Sequence, residues 1–314
     1  MFAYFQIAFE TVFLAMLFAV PGYLLARFGK ANAEHIPTLS AILVYGCTPP
    51  LIVSSFVALD FSWEMLGGMG LFFVISLAAQ LLFMGILWLL LHKKFDDAKY
   101  RILTIGAVLG NTGYFGLPII RAILPGSPEV ACYACMYSVS MNVLVFTIGV
   151  FALTRDKKYM SLRAAIFNPT VLSLPVALAL FGLGAKSFLP PFLVGGMELL
   201  SRMTVPLCMT ILGIRLANVK IGRLFSRGIM YVAAGCKLVL FPLFAYALVL
   251  FLPLPFPFKA AMLIISAAPC GTIIYNLAEM HKSEQELAAN VVLLSTLLCV
   301  GTIPLLALLL GAVG

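Results

Sequence analysis

The chain has 314 residues, of which 63% are hydrophobic and only 10% charged, with a mean hydropathy of +1.10. That leaves too little polar surface to cover a water-soluble globule, and the composition is that of a polytopic membrane protein. A net charge of +8 would suit nucleic acid, but the basic residues fall in short loops between apolar runs, which excludes that partner.

Crossing roughly 30 Å of hydrocarbon takes about 20 apolar residues. Ten such spans are predicted, near residues 4–26, 36–57, 66–91, 100–122, 128–153, 162–181, 190–216, 226–252, 257–280 and 286–311. Short connections leave no room for a soluble domain. No basic stretch precedes the first span and it carries Glu10, so it reads as a transmembrane helix and not as a cleaved signal peptide. Cysteines 47, 132, 135, 208, 236, 270 and 299 all lie within spans, where cysteine behaves as a small apolar residue. Cys132 and Cys135 form a C-x-x-C without His or Cys partners at ligand-like spacing, so neither a metal nor a cofactor is expected.

Loops after odd-numbered spans hold 15 Lys and Arg, among them Arg27, Lys93, Arg155, Lys220 and Lys282, whereas loops after even-numbered spans, with their helix ends, hold 4. The positive-inside rule then puts the odd loops in the cytoplasm and both termini outside the cell membrane. These loops are also suited to contact anionic lipid headgroups, at about 1 kcal/mol per residue near the surface.

Two halves of five spans each must lie in opposite orientations, which predicts a 5+5 inverted repeat, residues 1–155 and 160–314. An offset of 160 residues places Lys99 on Lys259, Leu103 on Leu263, Ala107 on Ala267, Thr112 on Thr272 and Leu117 on Leu277. The fourth span thus maps onto the ninth. A 3+3 or unrelated arrangement stays open on these apolar coincidences.

Both of those spans are interrupted near their middle, by Gly110-Asn111-Thr112-Gly113-Tyr114-Phe115-Gly116-Leu117-Pro118 and by Ala268-Pro269-Cys270-Gly271-Thr272. Backbone that leaves the helix at membrane depth is tolerated only where protein or a water-filled cavity satisfies its N–H and C=O groups. The prediction is an all-α protein whose broken fourth and ninth helices cross at the midplane, where the N-terminal ends of two half-helices favour an anion. Asn111, Thr112 and Gly113 in the first break are the candidate substrate residues, with Pro269, Gly271 and Thr272 in the second and Asn276 one turn on. The alternative reading of the glycines and prolines is that they only let helices kink and pack.

Each intramembrane charge costs at least ~2.5 kcal/mol at the bilayer centre. Lys237 lies deep in the eighth span, with Gln80 as its counterpart in the third. It is a candidate to hold a substrate carboxylate or to stabilise carbonyl ends; snorkelling is the alternative. Ser138 and Asn142, four apart in the fifth span, are candidates for substrate contact or helix–helix glue, and Ser295 and Thr296 should lie beside the second break. Glu198 and Arg202 read as a pair on one helix face, Glu10 as a candidate for proton coupling, and Asn168-Pro169 as a kink opening the sixth span.

No P-loop is present to use ATP, so the expected function is secondary transport of a small organic anion by alternating access, driven by protons or the membrane potential. Sodium coupling is the rival within transport, although no cluster of acidic and carbonyl ligands marks a hard-cation cage. A membrane-embedded enzyme would need paired carboxylates, a Ser–His set or a metal cluster, whereas His35, His92 and His281 lie in loops or at helix ends. A receptor or channel is the remaining alternative.

The runs G-N-T-G-Y-F-G-L-P at 110–118, Asn168-Pro169, P-L-C-M-T-I-L-G at 206–213, K-L-V-L-F-P at 237–242, A-A-P-C-G at 267–271 and L-L-S-T-L-L at 293–298 resemble the auxin efflux carrier family over essentially the whole chain. The first and fifth runs are the most specific. Lacking a long loop after the fifth span, the chain is similar to compact prokaryotic members. The resemblance implies a ten-helix, bile-acid-symporter-like fold, with helices 1, 2, 6 and 7 as scaffold and helices 3–5 and 8–10 as a transport domain moving in an elevator-like or rocking shift. It implies a substrate such as malonate, malate or an auxin-like acid, and a homodimer through the scaffold as one arrangement. Asn111, Thr112, Gly113, Pro269, Gly271 and Thr272 are the residues carried over by motif. The second break departs from the family pattern in having Cys270-Gly271 where an Asn would stand.

Overall fold

The structure, a computed structural model, describes residues 2–219 and 221–312. Met1, Lys220 of the fourth basic loop and residues 313–314 of the expected second repeat lie outside the described residues. Among the described residues, eight helical stretches are long and apolar enough to cross a membrane: α1 (Phe2–Arg27), α2 (Ala33–Val57), α3 (Trp63–Lys94), α6 (Glu129–Thr154), α7 (Lys157–Gly182), α8 (Pro191–Ala217), α9 (Gly228–Leu250) and α12 (Gln285–Gly311). The predicted fourth and ninth spans are each two short helices around a gap: α4 (Ala98–Gly106) and α5 (Leu117–Ile123), then α10 (Phe256–Ser266) and α11 (Ile273–Met280).

Local signals account for many of the ends. Ser62 caps α3 by accepting the Met65 N–H at 3.0 Å, Asp97 caps α4 through the Lys99 N–H at 3.0 Å, and Asn168 accepts the Thr170 N–H at 3.0 Å where the chain turns into the apolar part of α7. The Asn168-Pro169 pair therefore starts a helical segment by capping it, after the short turn Leu162–Ile166. Wide π-turns at Ile42–Cys47, Thr112–Gly116 and Cys236–Leu240 each end two residues before a proline, Pro49, Pro118 and Pro242. Proline lacks an N–H and clashes with the preceding turn, and widening that turn relieves both problems within a continuing helix.

Two sets of close helix contacts stand out, and they also pack on each other, the first half of α1 lying along α12 and Tyr4 of α1 meeting Phe256 of α10 at a centroid distance of 6.3 Å. In the first, α1 crosses α8 with the backbones touching: a Cβ at Gly22 would overlap the Thr210 carbonyl, and one at Gly213 would overlap that of Ala19. Small residues permit such approach where lipid supplies no hydrophobic drive between helices. In the same set α2 meets α7 through Phe56 and Phe181, ring centroids 6.4 Å apart and edge to face. In the second set, Phe72 of α3, Tyr133 of α6 and Phe258 of α10 form one aromatic cluster with centroids 4.7–5.2 Å apart. Gln80 of α3 donates to Ser140 Oγ of α6 at 2.8 Å, so the counterpart of Lys237 is spent on joining two helices. α6 and α12 are mostly buried, whereas α1, α2 and α7 leave most of their apolar surface to face lipid.

The α1–α8 crossing is predicted to fail on side-chain addition. Gly213→Val should lower the unfolding free energy by about 1–3 kcal/mol or more, read as a fall in Tm in detergent; an unchanged Tm would show that the two backbones are not in contact.

Candidate functional site

The two gaps meet. After Gly106 the chain leaves the helix through residues 107–111, and after Ser266 it does so through residues 267–272. Gly110 and Cys270 form an antiparallel bridge: Asn111 N–H donates to the Pro269 carbonyl at 2.7 Å, and Gly271 N–H donates to the Leu109 carbonyl at 3.0 Å. Each residue of the bridge, and each partner in its two bonds, is related to its opposite number by the same 160-residue offset that aligned the sequence. One short ladder thus satisfies backbone groups that the bilayer would leave stranded.

Neighbouring side chains satisfy more of the freed groups. Cys270 N–H donates to Ser295 Oγ at 3.1 Å, which places α12 beside the second break as expected. The Cys270 thiol donates to the Gly106 carbonyl at the end of α4, at 3.2 Å, and Lys237 Nζ donates to the Ser266 carbonyl at the end of α10, at 2.7 Å. Gly106 and Ser266 are again one offset apart, so each incoming half-helix has its C-terminal carbonyl capped, once by a thiol and once by an ammonium group. Lys237 is fully buried, with Nζ 4.9 Å from the Phe241 ring centroid. Of the roles the sequence offered, its contacts match support of a carbonyl end. A Cβ at Gly110 would come within 2.9 Å of Lys237 Nζ and 3.0 Å of its Cε, so glycine leaves the room in which the lysine reaches under the bridge.

On the other face of the bridge lies a cavity of about 160 Å³. It is lined by Gly110, Asn111, Thr112 and Gly113 of the first break and by Gly271, Thr272, Ile273 and Asn276 of the second. Ser138 and Asn142 of α6 complete the predicted set there, and Thr112 and Ser138 share a hydroxyl–hydroxyl hydrogen bond of 3.0 Å. Pro269 and Lys237 are the two predicted residues outside the lining: Pro269 supplies a bridge carbonyl and Lys237 stands behind it. Asn142 Nδ2 is engaged by the Ser138 carbonyl of its own helix at 2.8 Å.

The cavity also takes residues that sequence reasoning passed over. Thr48 of α2 donates to the Tyr114 hydroxyl at 3.3 Å, and both line the space, with Asn168 and Thr170 of α7. Tyr114 sits inside the first break run and Thr48 directly before Pro49-Pro50, so a polar residue next to an interrupted helix was the available signal. Asn111 Nδ2 reaches Cys208 Sγ of α8 at 3.5 Å. Glu10 lies elsewhere: it is exposed on α1 and accepts from Gln6 Nε2 at 2.9 Å. Glu198 and Arg202 pair at 3.5 Å on the exposed face of α8.

No charged side chain is among the described residues lining the cavity. Its polarity comes from hydroxyls, carboxamides and the first turns of two half-helices, whose N–H groups have no intrahelical acceptor. Amides of this kind can solvate a negative charge without a fixed countercharge.

This arrangement of broken, crossing helices around a polar cavity is that of a membrane transporter, not an enzyme. Residues 7–160 match the family described as membrane transport protein, and residues 202–313 match the sodium bile acid symporter family. The first of these two matches is to the auxin efflux carrier family, over the N-terminal half of the chain. It is 27% identical over 300 residues to an uncharacterised transporter of Methanocaldococcus jannaschii, covering 93% of this chain and 95% of that one. It is 25% identical over 303 residues to an uncharacterised transporter of Methanothermobacter thermautotrophicus, covering 94% and 96%.

If Lys237 braces the bridge, Gly110→Ala and Lys237→Met should each lower Tm, and their effects should be non-additive by about 0.5–3 kcal/mol in a double-mutant cycle. Strict additivity would separate the lysine from the glycine it underlies.

Proposed function

We propose that the protein is a secondary active carrier of a small organic anion, working by alternating access. One observation carries the reading: the symmetric bridge turns two half-helix N-terminal turns toward a polar cavity that holds no fixed charge. The volume of about 160 Å³ is well below the 300–1,000 Å³ or so typical of drug-sized ligands. That favours a mono- or dicarboxylate of malonate or malate size over a bulkier auxin-like acid.

In this reading α4–α5 and α10–α11 are two further crossings, which bring the total to ten and make a 5+5 inverted repeat with halves 1–155 and 160–314. The helices joined by the aromatic cluster and by the bridge, α3–α6 and α9–α12, form the transport domain, and α1, α2, α7 and α8 form the scaffold. The supports are the shared offset of the bridge and the close contacts within each set. Among the polar contacts that cross between the sets are Thr48 to Tyr114, Asn111 to Cys208 and Arg215 to Asn276. Each is a single contact at 3.3–3.5 Å, as suits groups that must separate when the transport domain shifts. The odd, basic loops face the cytoplasm of a cell membrane, both termini lie outside, and a homodimer would form through the scaffold.

Protons or the membrane potential would drive the cycle. Sodium coupling is the second reading, favoured by the match of residues 202–313 to the sodium bile acid symporter family; sodium-dependent uptake into proteoliposomes would establish it over the first.

Ligand-induced thermal stabilisation tests the site. Malonate, malate and indole-3-acetate are titrated against the purified protein; an accepted anion at a hundredfold its Kd should add about 2.7 kcal/mol to the native state. Asn111→Ala and Thr112→Ala should lose most of that increment, whereas Lys237→Met should start from a lower Tm and keep it. Equal increments in wild type and in both cavity variants would move the pocket elsewhere.

A further inference from the structure

A second cavity, of about 440 Å³, opens on the side of the basic loops, between the end of α8, the start of α2 and the half-helix α11. Asn276 lines both this cavity and the central one, so the two meet at that residue. Against that carboxamide lies a cation. Arg215, near the end of α8, donates from Nη2 to Asn276 Oδ1 at 3.4 Å, and its guanidinium carbon stands 4.3 Å from the Tyr275 ring centroid. Its Nε is buried and has no hydrogen-bond partner among the described residues. The residue is held by a long hydrogen bond and a ring face, and no carboxylate among the described residues lies within salt-bridge distance, so its charge is not paired off.

We infer that this inner cavity is an anion antechamber, in which Arg215 gathers a carboxylate from the basic-loop side and hands it to the central cavity past Asn276. The inference rests on the reading of the central cavity as the anion's site, and it gives the route a fixed positive charge that the central site lacks. A guanidinium offers a carboxylate two parallel N–H bonds, stronger than the single long bond to a neutral carboxamide oxygen, so an arriving carboxylate displaces Asn276 from Arg215. That frees the Asn276 side chain, on the transport half-helix α11, to turn toward the central cavity it also lines. Glu279 lines the same antechamber one turn along α11, and its negative charge keeps the site from holding the anion tightly. A station of transit needs that balance, since binding there must favour arrival without preventing departure.

The test needs no knowledge of the transported anion. Ser40 of α2 lines the antechamber, and all seven native cysteines are buried, so Ser40→Cys introduces a reporter thiol, with the parent protein as blank. Its modification rate is measured with a sulfonate-bearing and a trimethylammonium-bearing methanethiosulfonate, applied from the basic-loop side of oriented proteoliposomes. The sulfonate-to-ammonium rate ratio should fall about tenfold on Arg215→Gln, as expected for one charge focusing ions in a narrow cleft, and be retained in Arg215→Lys. A ratio unchanged by Arg215→Gln, or a thiol that neither reagent reaches, overturns the antechamber. Should Arg215→Gln not fold, Arg215→His read at about pH 5.5 and about pH 8.5 takes its place, because imidazole loses its charge near pH 6.5. A ratio that does not fall with pH, relative to the Ser40→Cys protein carrying Arg215, overturns the proposal equally. Carboxylate stabilisation of the wild type with an indifferent ratio would sink the antechamber alone; a responsive ratio with no carboxylate stabilisation would sink the central site.

Discussion

Two backbone hydrogen bonds, Asn111 to Pro269 and Gly271 to Leu109, hold the centre of this protein together. A helix interrupted in a bilayer strands several N–H and C=O groups, each costly without water to bind. Here each break is the other's solution: what one chain segment leaves open, the antiparallel segment closes. The rest of the site follows from that pairing. Glycines stand where the strands approach, Ser295 and Lys237 take up groups the ladder does not reach, and the half-helix starts are left facing a cavity.

The two caps on the incoming half-helices show how one constraint is met by different chemistry. The end of α4 is closed by the Cys270 thiol and the end of α10 by the Lys237 ammonium group. The offset relates the two carbonyls and does not relate their donors: Gln80, the counterpart of Lys237, is committed to Ser140. The backbone of the crossing is therefore more symmetric than its side chains, and a positive charge sits behind only one of the two ends. The cavity lining is uncharged among the described residues, and on the basic-loop side Arg215 bonds the cavity-lining Asn276.

Much of this was legible beforehand because breaks in apolar helices are loud. Gly110, Gly113, Pro118 and Pro269 stand out against long hydrophobic runs, and polar residues within a break must face protein or water. Asn111, Thr112, Gly271, Thr272 and Asn276 were found on that ground and do line the cavity. Thr48, Tyr114 and Thr170 were not singled out, because a hydroxyl in a membrane helix is usually satisfied by its own backbone, and sequence does not distinguish the exceptions. Lys237 shows the opposite case: its depth marked it as important, but whether it faced a solute or a carbonyl depended on which way its helix was turned.

Composition, span lengths and the offset between the two breaks were settled by the order of amino acids, since hydropathy and helix termination are local properties read along one chain. Which residues share a cavity was decided only in three dimensions. The bridge joins positions 160 residues apart, Arg215 meets Asn276 across two helices, and a thiol caps a carbonyl from the other half of the chain. Those meetings depend on the angle and depth at which helices pack, and packing is a property of pairs of surfaces that no single segment carries.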